Sequence, residues 1–457
     1  MTDSDLTNLL PGVDLARAEA DVITHLQALI RCETVNPPGN ETLAATYLRD
    51  QLAEVGIAGQ MLEAVPGRAN LVARWAGSGA ERPLLLMGHT DVVPVEADKW
   101  SHAPFGGEVD DRFVWGRGAV DMKNIDAIHL TVAQALKRAG LTLPRDLLLA
   151  FTADEEAGSR YGMEWVAQNH FDWVDAEYAL SEGAGEEMEI GGRSFFGVQS
   201  GEKGAFRFRL RATGAPGHAS IPHDDNCIVK LGRALGKLGA ARLPLHLTPT
   251  MRDCLTVMAG PADSPAYDTA ALFDPAQHLA ELDRVPVDAP MRRFLYAVTH
   301  NTVSPTILHA AGSRINVIPS EAVAEVDGRP LPGITEDEFR AELEAVVGDD
   351  AVIDLVAFKA GQESDIQTPL FTIIRDVMAQ LAPGSAVVPI LSSGGTDARS
   401  LVPRGVKVYG FSPLRNEPGE PAATSLMHNH DERISLANLR FALHTEFALV
   451  ARLMSGK

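Results

Sequence analysis

A chain of 457 residues with 45% hydrophobic content is long for one core, and two domains are the expectation. Asp and Glu number 61 against 40 Lys and Arg, and the formal charge of −21 argues against nucleic acid and anionic membrane as partners. Cys32, Cys227 and Cys254 are scattered without a CxxC pair, so neither a thiolate metal site nor a disulfide framework is indicated. The N-terminal MTDSDLTNLLPGVD lacks the basic flank and apolar core of a signal peptide. No run reaches the roughly 18 apolar residues that span a bilayer. The expectation is therefore a cytoplasmic protein.

Leu15, Ala18, Val22, Leu26 and Leu29 give residues 14–31 a helical period. A second helix is expected over 41–55, stopped by Gly56. Strands are expected at 59–62, 70–75 and 83–87, and a helix over 121–139. Alternation of strand and helix implies an α/β fold with a largely parallel sheet. From Phe206 the pattern changes: Phe206, Phe208 and Leu210 alternate with Arg207, Arg209 and Arg211, as in a strand with one exposed face. A helix at 228–238, strands at 306–310 and 321–327, a helix at 335–347 and a strand at 352–358 follow. That is the order of an α+β ferredoxin-like unit. Residues 243–298, rich in Pro and Asp, exceed what such a unit needs and read as a long loop. A helix to Gln380, strands at 386–391 and 406–410 and a closing helix over 436–454 return the chain to the first domain.

The chemistry is concentrated in five short stretches. The apolar run Leu84 to Met87 ends in Gly88 and presents His89 and Asp91, two residues apart and so on one side of an extended segment. One of the two could bind metal while the other orients the imidazole. WGRGAVDMKN presents Asp121, LLLAFTADEEAGS presents Glu155 and Glu156 after a buried strand, and YALSEGAG presents Glu182. SLMHNHDERI supplies His428 and His430. Acid and imidazole side chains on loops beyond strand ends are the layout of a metal site in an α/β sheet.

GHTDVVP, GRGAVDMKN, ADEEAGS, the isolated Glu182 and HNHDE occur in the order of the M20 family of dinuclear zinc hydrolases, and the chain resembles that family from about residue 20 to its C-terminus. The resemblance implies a zinc-peptidase-like catalytic domain at 1–202 and 361–457, with a mixed, mostly parallel sheet flanked by helices. It places a lid or dimerisation domain at 203–360, and hence a homodimer. It implies two divalent ions, zinc with cobalt or manganese as substitutes, with Asp121 bridging. His89 and Glu182 would hold one ion, Glu156 and His428 the other; the family pattern places the ligand four residues before Glu432, which implies His428 over His430. Glu155 would be the general base and Asp91 the support of His89. His218 matches a lid histidine that reaches the oxyanion, with a loop-tip structural role as the other reading. Arg329 stands between a grip on a substrate carboxylate and a salt bridge on the lid sheet. Asn316 and Gly395, the latter beside Gly394, fall in substrate-facing segments of the family, and a plain turn remains open for the two glycines.

The implied reaction is hydrolysis of an amide next to a free carboxylate, in an N-acyl amino acid, a dipeptide or a C-terminal residue. The competing readings are a non-catalytic metal-holding scaffold and a carbamoyl or cyclic-amide hydrolase.

Overall fold

The computed structural model describes residues 9–261, 264–310 and 314–455. The first eight residues of the acidic N-terminal stretch, and positions 262–263 of the Pro- and Asp-rich segment, lie outside the described residues. Contacts divide the chain into two compact units: Met1–Ser200 with Ser364–Ile390 and Thr396–Lys457, and Gly201–Glu363 with Leu391–Gly395. The expected insert at 203–360 falls within the second unit, which also takes in the glycines of SSGGTDAR.

The first unit opens with helices α1 (Leu15–Arg31) and α2 (Thr42–Ala53). Asp14 caps α1 by accepting from Arg17 N at 3.0 Å. Strands β1 (Gly59–Glu63), β2 (Ala69–Trp75) and β3 (Glu81–His89) follow, then the short β4 (Glu108–Val109) and β5 (Phe113–Trp115). Helix α3 (Lys123–Arg138), β6 (Arg145–Thr152), α4 (Met163–Asn169), β7 (Tyr178–Ser181), β8 (Glu187–Ile190) and β9 (Arg193–Glu202) complete the first pass. The sheet order is β1-β2-β6-β3-β7, and β6, β3 and β7 run parallel. Every residue of β6 is buried, because this strand lies between neighbours with both faces covered. Helix α3 is buried along nearly its whole length, and its polar side chains find partners inside: His129 Nδ1 lies 2.9 Å from Glu446 Oε1, and Gln134 Oε1 3.1 Å from His25 Nε2.

The second unit contains β10 (Ala205–Thr213), β11 (Gly217–His218) and α5 (Cys227–Ala240). Helices α6 (Pro249–Ala259), α7 (Thr269–Phe273), α8 (His278–Leu282) and α9 (Ala289–Thr299) come next. Then follow β12 (Thr302–Ala310), β13 (Val317–Ile318), β14 (Glu321–Arg329), α10 (Glu336–Val347), β15 (Val352–Lys359) and β16 (Gln362–Glu363). The antiparallel order β12-β14-β10-β15 is that of the expected ferredoxin-like unit. Phe206, Phe208 and Leu210 pack with Leu231, Phe339 and Leu343 in its core. Each such burial contributes about 1.5–3 kcal/mol. On the other face Arg207, Arg209 and Arg211 pair with Asp327, Glu325 and Asp354.

Residues 243–298 are not one long loop. The Asp, Thr and Pro residues that suggested a loop start helices instead: Thr248, Asp268 and Asp288 are side-chain N-caps, and Pro249 and Pro290 sit in first turns. Lys203 anchors the end of this segment, its buried Nζ donating to Ala297 O at 2.6 Å, His300 O at 2.8 Å and Thr302 Oγ1 at 2.9 Å.

The chain then returns to the first unit with α11 (Pro369–Leu381), β17 (Ala386–Ser392), α12 (Ala398–Leu401), β18 (Lys407–Gly410), β19 (Arg433–Ser435) and α13 (Leu436–Ser455). Strand β18 adds parallel to β7 and extends the central sheet. The result is a mixed sheet flanked by helices, parallel through its centre (β6-β3-β7-β18) and antiparallel on either side. Among the described residues no helix is long and apolar enough to cross a membrane.

Candidate active site

Strands β3, β6 and β7 run parallel, so their carboxyl ends open on the same edge of the sheet. His89 ends β3, Glu155 and Glu156 follow β6 by three and four residues, and Glu182 follows β7 directly. Asp121 precedes α3, and His428 lies in the segment between β18 and β19.

These side chains converge. Asp121 presents Oδ1 to His89 Nε2 at 3.2 Å and Oδ2 to His428 Nε2 at 3.2 Å. His89 Nε2 also faces Glu182 Oε2 at 3.6 Å, and His428 Nε2 faces Glu156 Oε2 at 3.1 Å. One carboxylate thus stands between two imidazoles, each with an acid of its own. Ligand atoms of His89, Asp121 and Glu156 lie within 4.8 Å of one another, as do those of His89, Glu155 and Glu182.

The electrostatics follow from this crowding. Burial alone would lower the His89 pKa, but Glu182, Asp121 and Asp91 outweigh it and hold it well above the ordinary value. His428 is pushed up to about 10 by hydrogen bonds to Asp121 and Glu156. Burial raises Glu155 well above the usual carboxylate range, and the neighbouring Glu182 charge adds to it. Against burial, the His428 and His89 hydrogen bonds hold Asp121 down. Glu156 Oε1 is buried with no hydrogen-bond partner among the described residues. Four carboxylates around two imidazoles, with one carboxylate oxygen unpartnered, form a donor set that fits divalent cations.

Asp91 meets the His89 ring and also serves the turn beside it. The ring nitrogen Nδ1 of His89 lies 3.0 Å from the Asp91 carbonyl oxygen and 3.6 Å from its carboxylate. The carboxylate also accepts from the backbone N–H groups of Glu155 and Glu156, both at 3.1 Å, and from Asn36 Nδ2 at 2.9 Å. It holds the turn that carries the two glutamates. Asp154 begins that turn in the left-handed region at φ 66°, which a non-glycine residue adopts only with support. Arg68 Nη2 at 2.9 Å, Asn36 Nδ2 at 3.0 Å and Tyr161 N at 3.0 Å all donate to its carboxylate. Asp121 has a comparable brace in Glu432, which accepts from the Asp121 N–H at 3.0 Å.

Asn36, Arg68, Asp154, Glu432, Asp397 and Arg399 had no assigned role in the sequence reading. Asp397 is fully buried, accepting from Thr152 Oγ1 at 2.9 Å and from Ser159 Oγ at 2.5 Å. A signal was present for four of them, because Asp154, Glu432, Asp397 and Arg399 lie inside or beside the quoted motifs. His218, Asn316, Arg329 and Gly395 belong to the second unit. His218 is exposed, bonds Ser220 Oγ through Nδ1 at 2.6 Å and pairs with Val317 across β11 and β13. The exposed Asn316 accepts from Ala219 N at 3.0 Å, and Gly395 is exposed. Arg329 Nε donates to Asp327 Oδ2 at 2.8 Å, the salt-bridge alternative for that residue. His430 faces Glu96 at 3.2 Å.

Comparison with known proteins places this geometry. The chain is 28% identical to aminoacylase-1 of Sus scrofa over 90% of both chains. Its fold matches an M20 family metallo-carboxypeptidase from Sulfolobus solfataricus with a TM-score of 0.67 at 17% identity, covering 94% of this chain and 98% of that one. It also matches a dinuclear metal binding peptidase of the M20 family from Bacillus subtilis, with a TM-score of 0.63 at 14% identity over 97% and 99% of the two chains. The model of peptidase family M20/M25/M40 covers residues 85–452, from the strand that presents His89 to the closing helix, and the chain belongs to that family.

Proposed function

We propose that this M20-family hydrolase cleaves an amide bond next to a free carboxylate, in an N-acyl amino acid, a dipeptide or the C-terminal residue of a short peptide. The observation that carries the reading is the Asp121 carboxylate set between His89 and His428, with the half-buried Glu155 close by. His89 and Glu182 would hold one divalent ion and Glu156 and His428 a second, with Asp121 shared. When bound, such a pair, zinc by its donor set with cobalt or manganese as substitutes, supplies an acidified water and polarises the scissile carbonyl.

Glu155 takes the proton released as water attacks and returns it to the departing nitrogen. Its raised pKa suits both halves of that task. Asp91 keeps Glu155 and Glu156 in register through their backbone amides. For His218, Asn316 and Gly395 the proposal keeps the substrate-facing roles that the motif match implies. Exposed Ile307 and Leu308 on the edge strand β12 support a homodimer through the second unit, which light scattering tests.

The full-length likeness to aminoacylase-1 puts N-acyl amino acids first on a substrate panel, followed by dipeptides. Turnover should be lost with a chelator and restored by zinc. Glu155→Gln should lower kcat by about 10²–10⁴-fold with metal content unchanged. Turnover that survives either treatment refutes the reading.

A further inference from the structure

Arg399 lies two residues beyond the buried Asp397, in the first unit with Glu155. Its Nη2 is 3.7 Å from Glu155 Oε1, within ion-pair range but too far for a hydrogen bond. Both Nε and Nη2 are buried, and neither has a hydrogen-bond partner among the described residues. These two nitrogens form one edge of the guanidinium, the edge that meets both oxygens of a carboxylate side-on.

Arg117, Arg145, Arg292 and Arg433 also have a buried Nε without a partner, but each hydrogen-bonds through a terminal nitrogen, and among the described residues only Arg399 leaves both atoms of this edge buried and unpartnered. In two other arginines the edge is filled. Arg68 gives Nε and Nη2 to Glu41 at 2.6 and 2.7 Å, and Arg211 gives the same pair to Asp354 at 2.6 and 3.3 Å. A buried charged donor pair without acceptors is costly, so a fold that retains one has a use for it. The substrate's own chemistry suggests which. In an N-acyl amino acid the carboxylate hangs from the carbon that bears the leaving nitrogen. The group that protonates that nitrogen and the group that binds the carboxylate must therefore be neighbours, as Glu155 and Arg399 are. Arg329 has its Nε committed to Asp327.

We propose that the Nε and Nη2 edge of Arg399 binds the free carboxylate of the substrate's leaving amino acid beside Glu155. This rests on the proposed amide hydrolysis and names the residue that makes the reaction selective for an acid over its amide.

The test compares N-acetyl-L-methionine with N-acetyl-L-methioninamide, which keeps the scissile bond and lacks the charge, in the zinc-loaded enzyme. Arg399→Met should cut kcat/KM for the acid by about 100-fold, chiefly through KM, and change the amide by less than about threefold. Arg399→Lys should recover part of the loss. An equal fall on both substrates would assign Arg399 to positioning Glu155 and overturn the proposal, as would an unchanged preference for the acid. Calorimetric binding of the same two compounds to Glu155→Gln, with and without Arg399→Met, reads the contact without turnover. If the wild type hydrolyses neither these compounds nor any other N-acyl amino acid, dipeptide or short peptide on the panel, the proposed function fails. Carboxylate-dependent binding that disappears with Arg399 would still support the contact, and its absence would overturn it. Should Arg399→Met fail to fold, Arg399→Lys carries the same comparison.

Discussion

Glu432 offers a direct test of how the site is braced. Its carboxylate is fully buried, and each oxygen serves two donors. Oε2 accepts from Arg117 Nη1 at 2.5 Å and Gly118 N at 3.1 Å, and Oε1 from Val120 N at 2.8 Å and Asp121 N at 3.0 Å. In Glu432→Gln, either orientation of the amide turns an NH₂ group toward two of these donors. Two hydrogen bonds to a charged acceptor are lost, at about 1.5–3 kcal/mol each, so the cost should be about 3–6 kcal/mol. Glu432→Ala should cost a similar amount by leaving the Arg117 guanidinium buried without its partner. Because one of the lost bonds holds the Asp121 backbone, metal affinity should also fall about 10–100-fold. Urea unfolding of the chelated proteins measures the first quantity, and competition with a chromophoric chelator the second. A stability change below about 1 kcal/mol with wild-type metal affinity would refute the reasoning.

Two further substitutions probe other parts of the chain. Burial lowers the Lys203 pKa to about 7 from 10.5, so between those values the unfolded chain holds a proton that the folded chain does not, and stability should rise with pH across the window. Lys203→Met should flatten that rise, whose upper bound is about 5 kcal/mol; parallel urea-unfolding curves for the two proteins between about pH 7 and 10 would contradict it. Arg68→Met leaves the buried carboxylates of Glu41 and Asp154 without their shared cation, and should cost about 3–5 kcal/mol and loosen the turn carrying Glu155 and Glu156. Wild-type stability and hydrogen exchange in that turn would exclude the role.

Much of the fold was legible because its signals are local. The apolar run of β3 ending in Gly88 and His89, and the alternation of Phe206 to Arg211, show their periods within a few residues. The same Asp and Pro residues that punctuate loops also start helices, and residues 243–298 were misread for that reason. Asp288 and Pro290 look like a turn in isolation, but Leu295 and Val298 are buried in the folded chain and favour the helix. The braces of the site were the least legible part. Glu432 meets the Asp121 backbone across 311 positions of sequence, and Asn36 meets Asp154 across 118, distances at which one sequence carries no pairing signal. Asp91 illustrates the limit within a motif. Its two-residue spacing from His89 suggested contact with the ring, and the carboxylate does lie 3.6 Å from Nδ1, but its hydrogen bonds to the amides of Glu155 and Glu156 carry no local signal.

The claim on which the account rests is that Asp121 is shared by two metal ions. Metal analysis of the zinc-reconstituted protein by mass spectrometry tests it most directly, with Asp121→Ala measured alongside. About two ions per wild-type chain are expected, with loss of both tightly held ions in the variant. One ion or none in the wild type, or a full pair retained without Asp121, would contradict it.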